Sequence, residues 1–242
     1  MITGASRGIG AACAEAFSRR AAMLSLTSRT PIGYSGDALI TAGDITDPAD
    51  RARVVEATLD CFGRIDILIN NAGQGSYEPV LLADRDSSRK IFDLNFFAPL
   101  ALAQLVVPHM RRQGGGTIVN VSSIAGQIAL PWMSMYSSTK FALGAITNAL
   151  RIELRADGIR MMTVCPGYVN TDFHSHAIGT PPSMIAGAKP FAISATRCAE
   201  AIARGVERDA RTVVTPGIGW FLVWLERVFP SVVDSRLGSL SK

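Results

Sequence analysis

The chain has 242 residues, of which 48% are hydrophobic and 18% charged, with a formal net charge of +4. This composition is typical of a globular protein and excludes long disordered tracts. Lysines and arginines are scattered without a long basic run, so nucleic-acid binding is not expected. The four cysteines form no CxxC pair and the three histidines complete no ligand pattern, so no metal site is predicted.

The amino end shows no charged segment followed by an apolar one, so a secretory signal peptide is not predicted. Widely spaced cysteines favour free thiols in a reducing compartment. A cytoplasmic protein is therefore expected.

Short apolar runs alternate with helical stretches along the chain. The runs are apolar on both faces, as in strands buried within a parallel sheet. The predicted strands are Met23–Thr27, Leu39–Ala42, Ile65–Ile69, Thr117–Val121, Met161–Cys165 and Thr212–Thr215. The predicted helices are Ile9–Arg20, Pro48–Phe62, Arg89–Arg112, Tyr136–Ala156 and Thr196–Arg208. Strict alternation predicts one α/β domain over residues 1–242, with a doubly wound parallel sheet and helices on both faces.

Only Met1 and Ile2 precede the glycine-rich turn Thr3-Gly-Ala-Ser-Arg-Gly-Ile-Gly10. The strand before such a turn should be central and buried on both faces. Since strands average about five or six residues, the first strand is largely truncated. We expect that Met1 is not the natural start and that roughly five to ten mostly apolar residues precede it.

The segment between the second and third strands, Thr30–Ala38, contains Pro31, Gly33 and Gly36. It is shorter than the dozen or so residues of an ordinary parallel crossover. We therefore expect a loop or a single turn there in place of a helix.

The glycine turn has the spacing of a phosphate-binding loop. Gly4 would permit a sharp turn, Gly8 a close approach of backbone to a pyrophosphate, and Gly10 close packing of helix on strand. Free N–H groups and the dipole at the start of the helix favour an anion. The alternative is a plain strand-to-helix turn, which its position before an alanine-rich helix disfavours.

The end of the second strand, Ser28-Arg29, lacks the carboxylate that would bind the 2′-hydroxyl of NAD. A guanidinium instead suits bidentate contact with a 2′-phosphate, and Arg7 could add a second charge. NADP(H) is therefore favoured over NAD(H), the alternative being two solvent-exposed arginines.

Tyr136-Ser-Ser-Thr-Lys140 places a phenol and an ammonium four residues apart, on one face of a helix. A phenol with a pKa near ~10 exchanges protons poorly at neutral pH, and a nearby ammonium would favour the phenolate. For this motif alone, an exposed tyrosine and lysine would be the simpler interpretation.

Other motifs fall at the carboxyl ends of predicted strands, where ligands bind in such sheets. They are Asn70-Asn-Ala-Gly73, Val119-Asn-Val-Ser-Ser123 and Pro166-Gly-Tyr-Val-Asn-Thr171. Unrelated loops would seldom coincide in this way.

With these motifs in this order, the chain resembles the short-chain dehydrogenase/reductase family along nearly its whole length. The matching elements are TGASRGIG, Asp44-Ile45, NNAG, Asn95 in DLNFF, VNVSS, YSSTK and PGYVNT. The resemblance implies a Rossmann fold and a catalytic tetrad of Asn95, Ser123, Tyr136 and Lys140. Tyr136 would be the general acid/base, Ser123 would hold the substrate oxygen, Lys140 would bind the nicotinamide ribose and lower the pKa of Tyr136, and Asn95 would hold a relay water. Ser123 is chosen over Ser122 because its spacing to Tyr136 matches the family.

The resemblance also implies the residues that bind NADP(H). They are Gly4, Ser6, Arg7, Gly8, Ile9, Gly10, Ser28, Arg29, Asp44, Ile45, Asn71, Ala72, Gly73, Tyr136, Lys140, Pro166, Gly167, Val169 and Thr171. Family members commonly pair through the helices predicted at Arg89–Arg112 and Tyr136–Ala156, so a homodimer or homotetramer is expected.

Three features depart from the family or vary within it. Pro99 interrupts the central helix and predicts a kink or local adjustment. Residues 174–195 lie where the family has its variable substrate lid. Residues 216–242 form a carboxyl-terminal extension whose run Ile218–Leu225 predicts an amphipathic helix over the pocket or a subunit interface, with membrane-surface contact as the alternative.

The sequence thus predicts an NADP(H)-dependent oxidoreductase that interconverts a carbonyl and an alcohol on a small lipophilic substrate. A serine hydrolase is disfavoured because Ser123 lacks a GxSxG context. A non-catalytic nucleotide-binding or interaction protein on the same fold is the remaining alternative.

Overall fold

The computed structural model describes residues 1–181 and 191–240. Its main sheet has seven parallel strands in the order β3-β2-β1-β4-β6-β7-β11. The strands in chain order are β1 (Ile2–Thr3), β2 (Ser25–Ser28), β3 (Leu39–Ala42), β4 (Ile67–Asn70), β5 (Ser76–Tyr77), β6 (Gly116–Val121), β7 (Ile159–Pro166), β8 (Val169–Asn170), β9 (Ile178–Gly179), β10 (Ile193–Ser194) and β11 (Thr212–Thr215). The strand order reverses between β1 and β4, which places a ligand crevice at their carboxyl ends.

The helices cover both faces of this sheet, as predicted. They are α1 (Gly8–Ser18), α2 (Pro48–Phe62), α3 (Arg85–Phe92), α4 (Ala98–Arg112), α5 (Ser134–Glu153), α6 (Ala195–Glu207), α7 (Gly219–Val228) and α8 (Pro230–Leu240). Adjacent strand residues such as Leu68 and Ile69 belong to two different apolar clusters. Because successive side chains of a strand point to opposite faces, the sheet has a buried core on each side.

The predicted strands and helices are all present, with ends displaced by a few residues. Residues 30–38 contain no helix, which confirms the loop expected between β2 and β3. The predicted helix Tyr136–Ala156 corresponds to α5, which begins two residues earlier and ends at Glu153. The four strands of the two small sheets were not predicted, because two-residue strands carry no periodic pattern.

The central helix predicted over Arg89–Arg112 begins earlier, at Arg85, and contains a π-helical segment, Asp93–Phe97. Pro99 follows this segment and has no N–H to donate to the carbonyl of Asn95 four residues before it. The expected local adjustment at Pro99 is therefore confirmed, and it lies at a predicted catalytic residue. By length and composition this helix could cross a bilayer, but half of its most apolar window is buried within the protein.

The short strand β1 is central, as expected. Ile2 is opposite Leu26 of β2 and Ile69 of β4. The Met1 amino group donates to the Ile67 carbonyl at 2.8 Å. Upstream of Met1 the two flanking strands enclose a groove of about 250 Å³, lined in part by Met23.

The extension after β11 is helical, as predicted for Ile218–Leu225. Gly219 and Val223 of α7 are buried, and Gly219 lies against Val214 and Ile124. Large apolar side chains of α7 and the residues flanking it are exposed: Ile218, Trp220, Phe221, Leu222, Trp224, Val228 and Phe229. The helix therefore packs on the sheet edge through a narrow face. Of the predicted lid, residues 182–190 lie outside the described residues.

Candidate active site

A cavity of about 410 Å³ opens at the carboxyl ends of β1, β2, β4, β6 and β7. Every residue predicted to bind the cofactor lines it except Gly10, and every predicted catalytic residue lines it except Asn95. The predicted motifs are thus brought together at one edge of the sheet.

The glycine turn is held against the end of β4. The Thr3 hydroxyl accepts hydrogen bonds from the backbone N–H groups of Asn71 and Ala72, both at 3.1 Å. Asn71 in turn donates to the carbonyls of Thr3 and Gly4. A Cβ on Gly10 would lie 2.2 Å from the Gly4 carbonyl oxygen, so only glycine permits this packing. Gly10 therefore shapes the turn from behind, which explains its absence from the cavity wall.

The start of α1 follows directly. Its N-cap residue, Arg7, is extended and makes no side-chain capping bond, so the first N–H groups of the helix have no side-chain cap. Such groups bind anions. Arg7 lies in the cavity wall, and its guanidinium contacts Nε2 of His176 at 3.0 Å.

The end of β2 carries a cluster of hydroxyl groups. Ser28 and Thr30 each donate to the Ser6 hydroxyl at 2.9 Å. Arg29 follows Ser28, with 61% of its side chain exposed and its guanidinium 3.6 Å from the Asp44 carboxylate. A positive charge and three hydroxyls therefore surround the place where the adenosine side of a dinucleotide would lie.

Asp44, at the end of β3, is held as a carboxylate. Burial opposes ionisation, but hydrogen bonds from the N–H and hydroxyl of Thr46 and the nearby Arg29 lower the pKa of Asp44 below its usual value. Ile45 beside it is buried and also lines the cavity. The carboxylate thus adds a negative charge next to Arg29.

Asn95 lies in the π-helical segment and is fully buried. Its amide oxygen accepts from the Gln74 N–H at 2.9 Å, and its amide nitrogen donates to the Gln74 carbonyl and the Thr139 hydroxyl. Asn95 therefore fixes the loop after β4 to α5. A Cβ on Gly73 would lie 3.1 Å from the Asn95 amide oxygen and 3.5 Å from the Lys140 ammonium, so a glycine keeps these groups close.

The two neighbouring serines after β6 have different surroundings. The Ser122 hydroxyl is buried and donates to the backbone carbonyl of Lys140 at 3.1 Å. The Ser123 hydroxyl accepts from the Ala125 N–H at 3.1 Å and lies near enough to the Tyr136 phenol to lower its pKa. Of the two hydroxyls, that of Ser123 is therefore the one placed beside the phenol.

Tyr136 and Lys140 occupy one buried face of α5, exposed by only 5% and 4%. The Lys140 ammonium lies 5.8 Å from the centroid of the Tyr136 ring and donates to the Val121 carbonyl at 2.9 Å. Burial lowers the pKa of Lys140 to about 8. The interpretation of both side chains as exposed surface residues is excluded.

The expected effect of Lys140 on Tyr136 is not seen in this structure. Burial raises the pKa of Tyr136 to about 12, and the nearby Ser123 hydroxyl opposes this only in part. The prediction of a lowered pKa was wrong here because loss of hydration outweighs an ammonium that is hydrogen-bonded to another group.

The segment after β7 closes the cavity. Pro166 ends β7, while Val169 pairs with Ile193 in a small parallel sheet. The Thr171 side chain would be 3.3 Å from a Cβ on Gly8, which brings this segment against the glycine turn. Pro166, Gly167, Val169 and Thr171 thus lie on the wall across from β4.

Several cavity residues were not predicted as site residues: Gln74, Leu130, Met133, Tyr168, Phe173, His174 and His176. Gln74 donates to the His176 carbonyl at 2.9 Å, which joins the loop after β4 to the segment around His176. His174 was placed only at the start of a variable lid, because its partners come from distant segments. No sequence signal could have identified it.

The residues at this cavity fit a nicotinamide dinucleotide. A turn that excludes larger side chains and an uncapped helix start suit its pyrophosphate. Hydroxyls and Arg29 suit the adenosine ribose, and a buried ammonium between Tyr136 and Gly73 suits polar groups of the other ribose.

A sequence model of the short chain dehydrogenase family matches residues 1–178. The chain is 33% identical to 11-beta-hydroxysteroid dehydrogenase-like 3 of Arabidopsis thaliana, over 99% of this chain and 80% of that protein. It is 32% identical to mouse dehydrogenase/reductase SDR family member 7B, over 74% of this chain and 59% of that protein. The chain thus spans less than two thirds of the mouse relative's length.

Solved structures give the same result. A short chain dehydrogenase from Burkholderia cenocepacia in complex with NADP is 28% identical, with a TM-score of 0.83 over 97% of this chain and 94% of that one. A 3-ketoacyl-(acyl-carrier-protein) reductase from Brucella melitensis complexed with NADH is 27% identical, with a TM-score of 0.81 over 88% of this chain and 94% of that one. The sheet, the cavity and these similarities together show that the chain belongs to the short-chain dehydrogenase/reductase family of NAD(P)-dependent oxidoreductases.

Proposed function

We propose that the protein interconverts a ketone and a secondary alcohol, with Tyr136 as the general acid/base and NADPH as the preferred cofactor. The observation that carries this proposal is that Ser123, Tyr136 and Lys140 meet in one cavity wall, with the phenol buried and the Lys140 ammonium 5.8 Å from the centroid of its ring. A non-catalytic binding module would have no need of a phenol next to Ser123, and burial of the Lys140 charge opposes folding.

Each residue at the cavity has a separate role in the proposed reaction. The bound nicotinamide supplies or accepts the hydride. Ser123 and Tyr136 donate hydrogen bonds to the substrate oxygen, which polarises the carbonyl and holds it in place. Tyr136 delivers its proton to that oxygen during reduction and takes it back during oxidation. Lys140 binds the nicotinamide ribose, and Asn95 keeps the loop after β4 in position.

The role of Asn95 as holder of a relay water is also a proposal. Its side chain is bonded to Gln74 and Thr139. The backbone carbonyl of Asn95, to which Pro99 cannot donate, is therefore the better candidate for a water ligand.

Preference for NADPH is supported by Arg29 and Arg7 in the cavity wall and by the absence of a carboxylate on Ser28-Arg29-Thr30. A guanidinium pairs well with a 2′-phosphate. The Asp44 carboxylate, 3.6 Å from the Arg29 guanidinium, competes with a 2′-phosphate for Arg29 and so weakens the preference for NADPH.

A lipophilic substrate is supported by the apolar wall next to Tyr136, formed by Leu130, Met133, Tyr168 and Phe173. Relatives named for hydroxysteroid and 3-ketodihydrosphingosine conversion point to the same class of substrate.

Self-association through α4 and α5 is supported by exposed apolar groups on α5. Phe141 and Ile152 of α5 are 44% and 78% exposed, and Ala145 between them is also exposed. These positions share one helix face. We expect a homodimer or homotetramer by light scattering, and Ala145→Glu should shift it to monomer.

The deciding experiment measures oxidation of NADPH and NADH with a panel of ketones and aldehydes. Tyr136→Phe should reduce turnover at least a thousandfold while NADPH binding stays within about threefold. Tyr34→Phe, outside the cavity, is the matched control. Cofactor binding without turnover across the panel would favour the non-catalytic alternative.

A further inference from the structure

Three segments form the wall of the cavity beyond Tyr136. Strand β5 pairs with β9, Ile178 N–H donates to the Gly75 carbonyl at 2.9 Å, and Glu78 forms a bridge with Met133. The loop after β4, the segment before α5 and the start of the lid are therefore joined by backbone contacts. Side chains on this wall have fixed positions.

Within this wall, the Tyr77 phenol is hydrogen-bonded to Nδ1 of His174. Tyr77 is 2% exposed, and burial raises its pKa well above the usual value, so the phenol is neutral. Among residues 1–181 and 191–240, Nδ1 is the phenol's one hydrogen-bond partner. We assign the O–H as the donor to Nδ1, because the phenol proton would otherwise have no acceptor in these residues, and this assignment places the imidazole proton on Nε2.

The orientation of the His174 ring is also fixed. It stacks on Tyr168 with ring centroids 4.4 Å apart and an interplanar angle of 11°. Phe173 packs edge-on at 5.5 Å, and the Phe173 ring lies 5.7 Å from that of Tyr136. The imidazole is thus one aromatic ring away from the catalytic phenol.

The Nε2–H group has no hydrogen-bond partner within the part of the chain that the structure describes, although His174 lines the cavity. A polar N–H on an otherwise apolar wall costs free energy when a ligand covers it without bonding to it. Burial lowers the pKa of His174, so the ring is uncharged at neutral pH. The uncharged Nε2–H group can therefore donate to an uncharged oxygen of a ligand, whereas it offers no acceptor to a cationic group.

We propose that His174 Nε2–H is a second hydrogen-bond donor of the substrate site, and that it selects ketones carrying an uncharged oxygen acceptor a few bonds from the reacting carbonyl. Tyr77 is its positioning residue. An ester or thioester carbonyl next to an oxo group is the simplest such acceptor. This inference rests on the proposed reductase function and narrows its substrate class.

The test compares methyl 3-oxooctanoate with 5-decanone. Both compounds have a pentyl group on one side of the ketone, and their chains on the other side match each other in length. His174→Phe keeps an aromatic ring but removes the donor. We expect kcat/KM for the ester to fall about tenfold, as for one neutral hydrogen bond, and that for the ketone to change less than about twofold. For each ketone we compare kcat/KM of the variant with kcat/KM of the wild type, so that the different intrinsic reactivity of the two ketones cancels. His109→Phe, on α4 outside the cavity, is the control.

A second measurement does not depend on turnover. Long-range ¹H–¹⁵N spectra should show His174 protonated on Nε2, and that resonance should shift when methyl 3-hydroxyoctanoate is added with NADP⁺, but not when 5-decanol is added. Tyr77→Phe should give a mixture of tautomers and an intermediate loss with the ester, about threefold.

The outcomes separate the two proposals. If the wild type reduces neither ketone, the proposed function fails, whereas the spectra still test which nitrogen of His174 carries the proton. If His174→Phe lowers kcat/KM equally for both ketones, or if the His174 ring is protonated on Nδ1, the proposed hydrogen bond to substrate is disproved and the reductase function stands.

Discussion

The Lys140 ammonium lies 5.8 Å from the Tyr136 ring centroid, yet its hydrogen bond goes to the Val121 carbonyl. The two groups are neighbours without being an ion pair. Burial therefore dominates both, raising the pKa of the phenol and lowering that of the ammonium. This arrangement makes the direction of catalysis sensitive to pH.

Alcohol oxidation should accelerate steeply with pH. It requires phenolate, and with the pKa of Tyr136 raised to about 12 the phenolate fraction grows tenfold per pH unit below that value. We expect kcat for oxidation to rise between pH 7 and pH 9 and kcat for reduction to stay nearly constant between pH 6 and pH 7.5. Steady-state kinetics under saturating cofactor measures both. An oxidation rate that is flat between pH 7 and 9 would mean that cofactor binding lowers the pKa of the phenol below that range.

Replacing Lys140 should abolish activity and stabilise the fold. The pKa of Lys140 is about 8 in the folded protein against an ordinary 10.5, so its charge destabilises the fold below pH 8. As pH rises from 8 to 10.5 the unfolded chain keeps a proton that the folded protein has lost, and stability increases. The full effect is on the order of 3 kcal/mol. Lys140→Met should therefore raise Tm by about 5 °C or more at pH 7, and by less at pH 10.

The control for this substitution is Lys90→Met, at an exposed position of α3. It should leave both Tm and activity unchanged. A Tm for Lys140→Met below that of the wild type at pH 7 would show that the Val121 hydrogen bond outweighs the cost of burying the charge.

Arg29→Asp should shift cofactor preference from NADPH towards NADH. It removes a partner of the 2′-phosphate and leaves two carboxylates, at positions 29 and 44, near that phosphate. Charged hydrogen bonds contribute roughly 1.5–3 kcal/mol each, so kcat/KM for NADPH should fall ten- to a hundredfold. Asp44→Asn should act oppositely and favour NADPH, because Arg29 loses its competing partner. Arg85→Asp, at the start of α3 and outside the cavity, controls for the change in net charge.

The order of the sheet elements and most of the cavity-lining residues could be predicted from the sequence. Strands buried on both faces and helices with one apolar face leave local periodic patterns, and strand ends must meet at one edge. Gly10 and Asn95 were predicted as site residues, but neither lines the cavity, and each contacts the loops that form its wall. The Tyr77–His174 pair could not be predicted, since it joins residues 97 positions apart through a two-residue strand pairing. The pKa direction of Tyr136 was also missed, because hydration depends on packing that no motif records.

The last prediction concerns the groove beside Met1. In a polypeptide that begins at Met1, burial lowers the pKa of the amino group to about 5, and Asp66 opposes this only in part. Between pH 5 and pH 8 the unfolded chain holds the proton more tightly, so stability should rise with pH across this window.

Five β-branched apolar residues added before Met1 would replace the amine by an amide, which can still donate to the Ile67 carbonyl. They would also fill the groove between β2 and β4, where each buried side chain contributes roughly 1.5–3 kcal/mol against about 1–2 kcal/mol for ordering its backbone. We expect Tm to rise by about 5–10 °C at pH 7. Five glycine and serine residues in the same place should abolish the rise of stability with pH between 5 and 8, because the Met1 amine becomes an amide. They should not raise Tm at pH 8, because they have no apolar side chains to fill the groove. Equal Tm values for the two extended chains would show that the groove does not accept a strand.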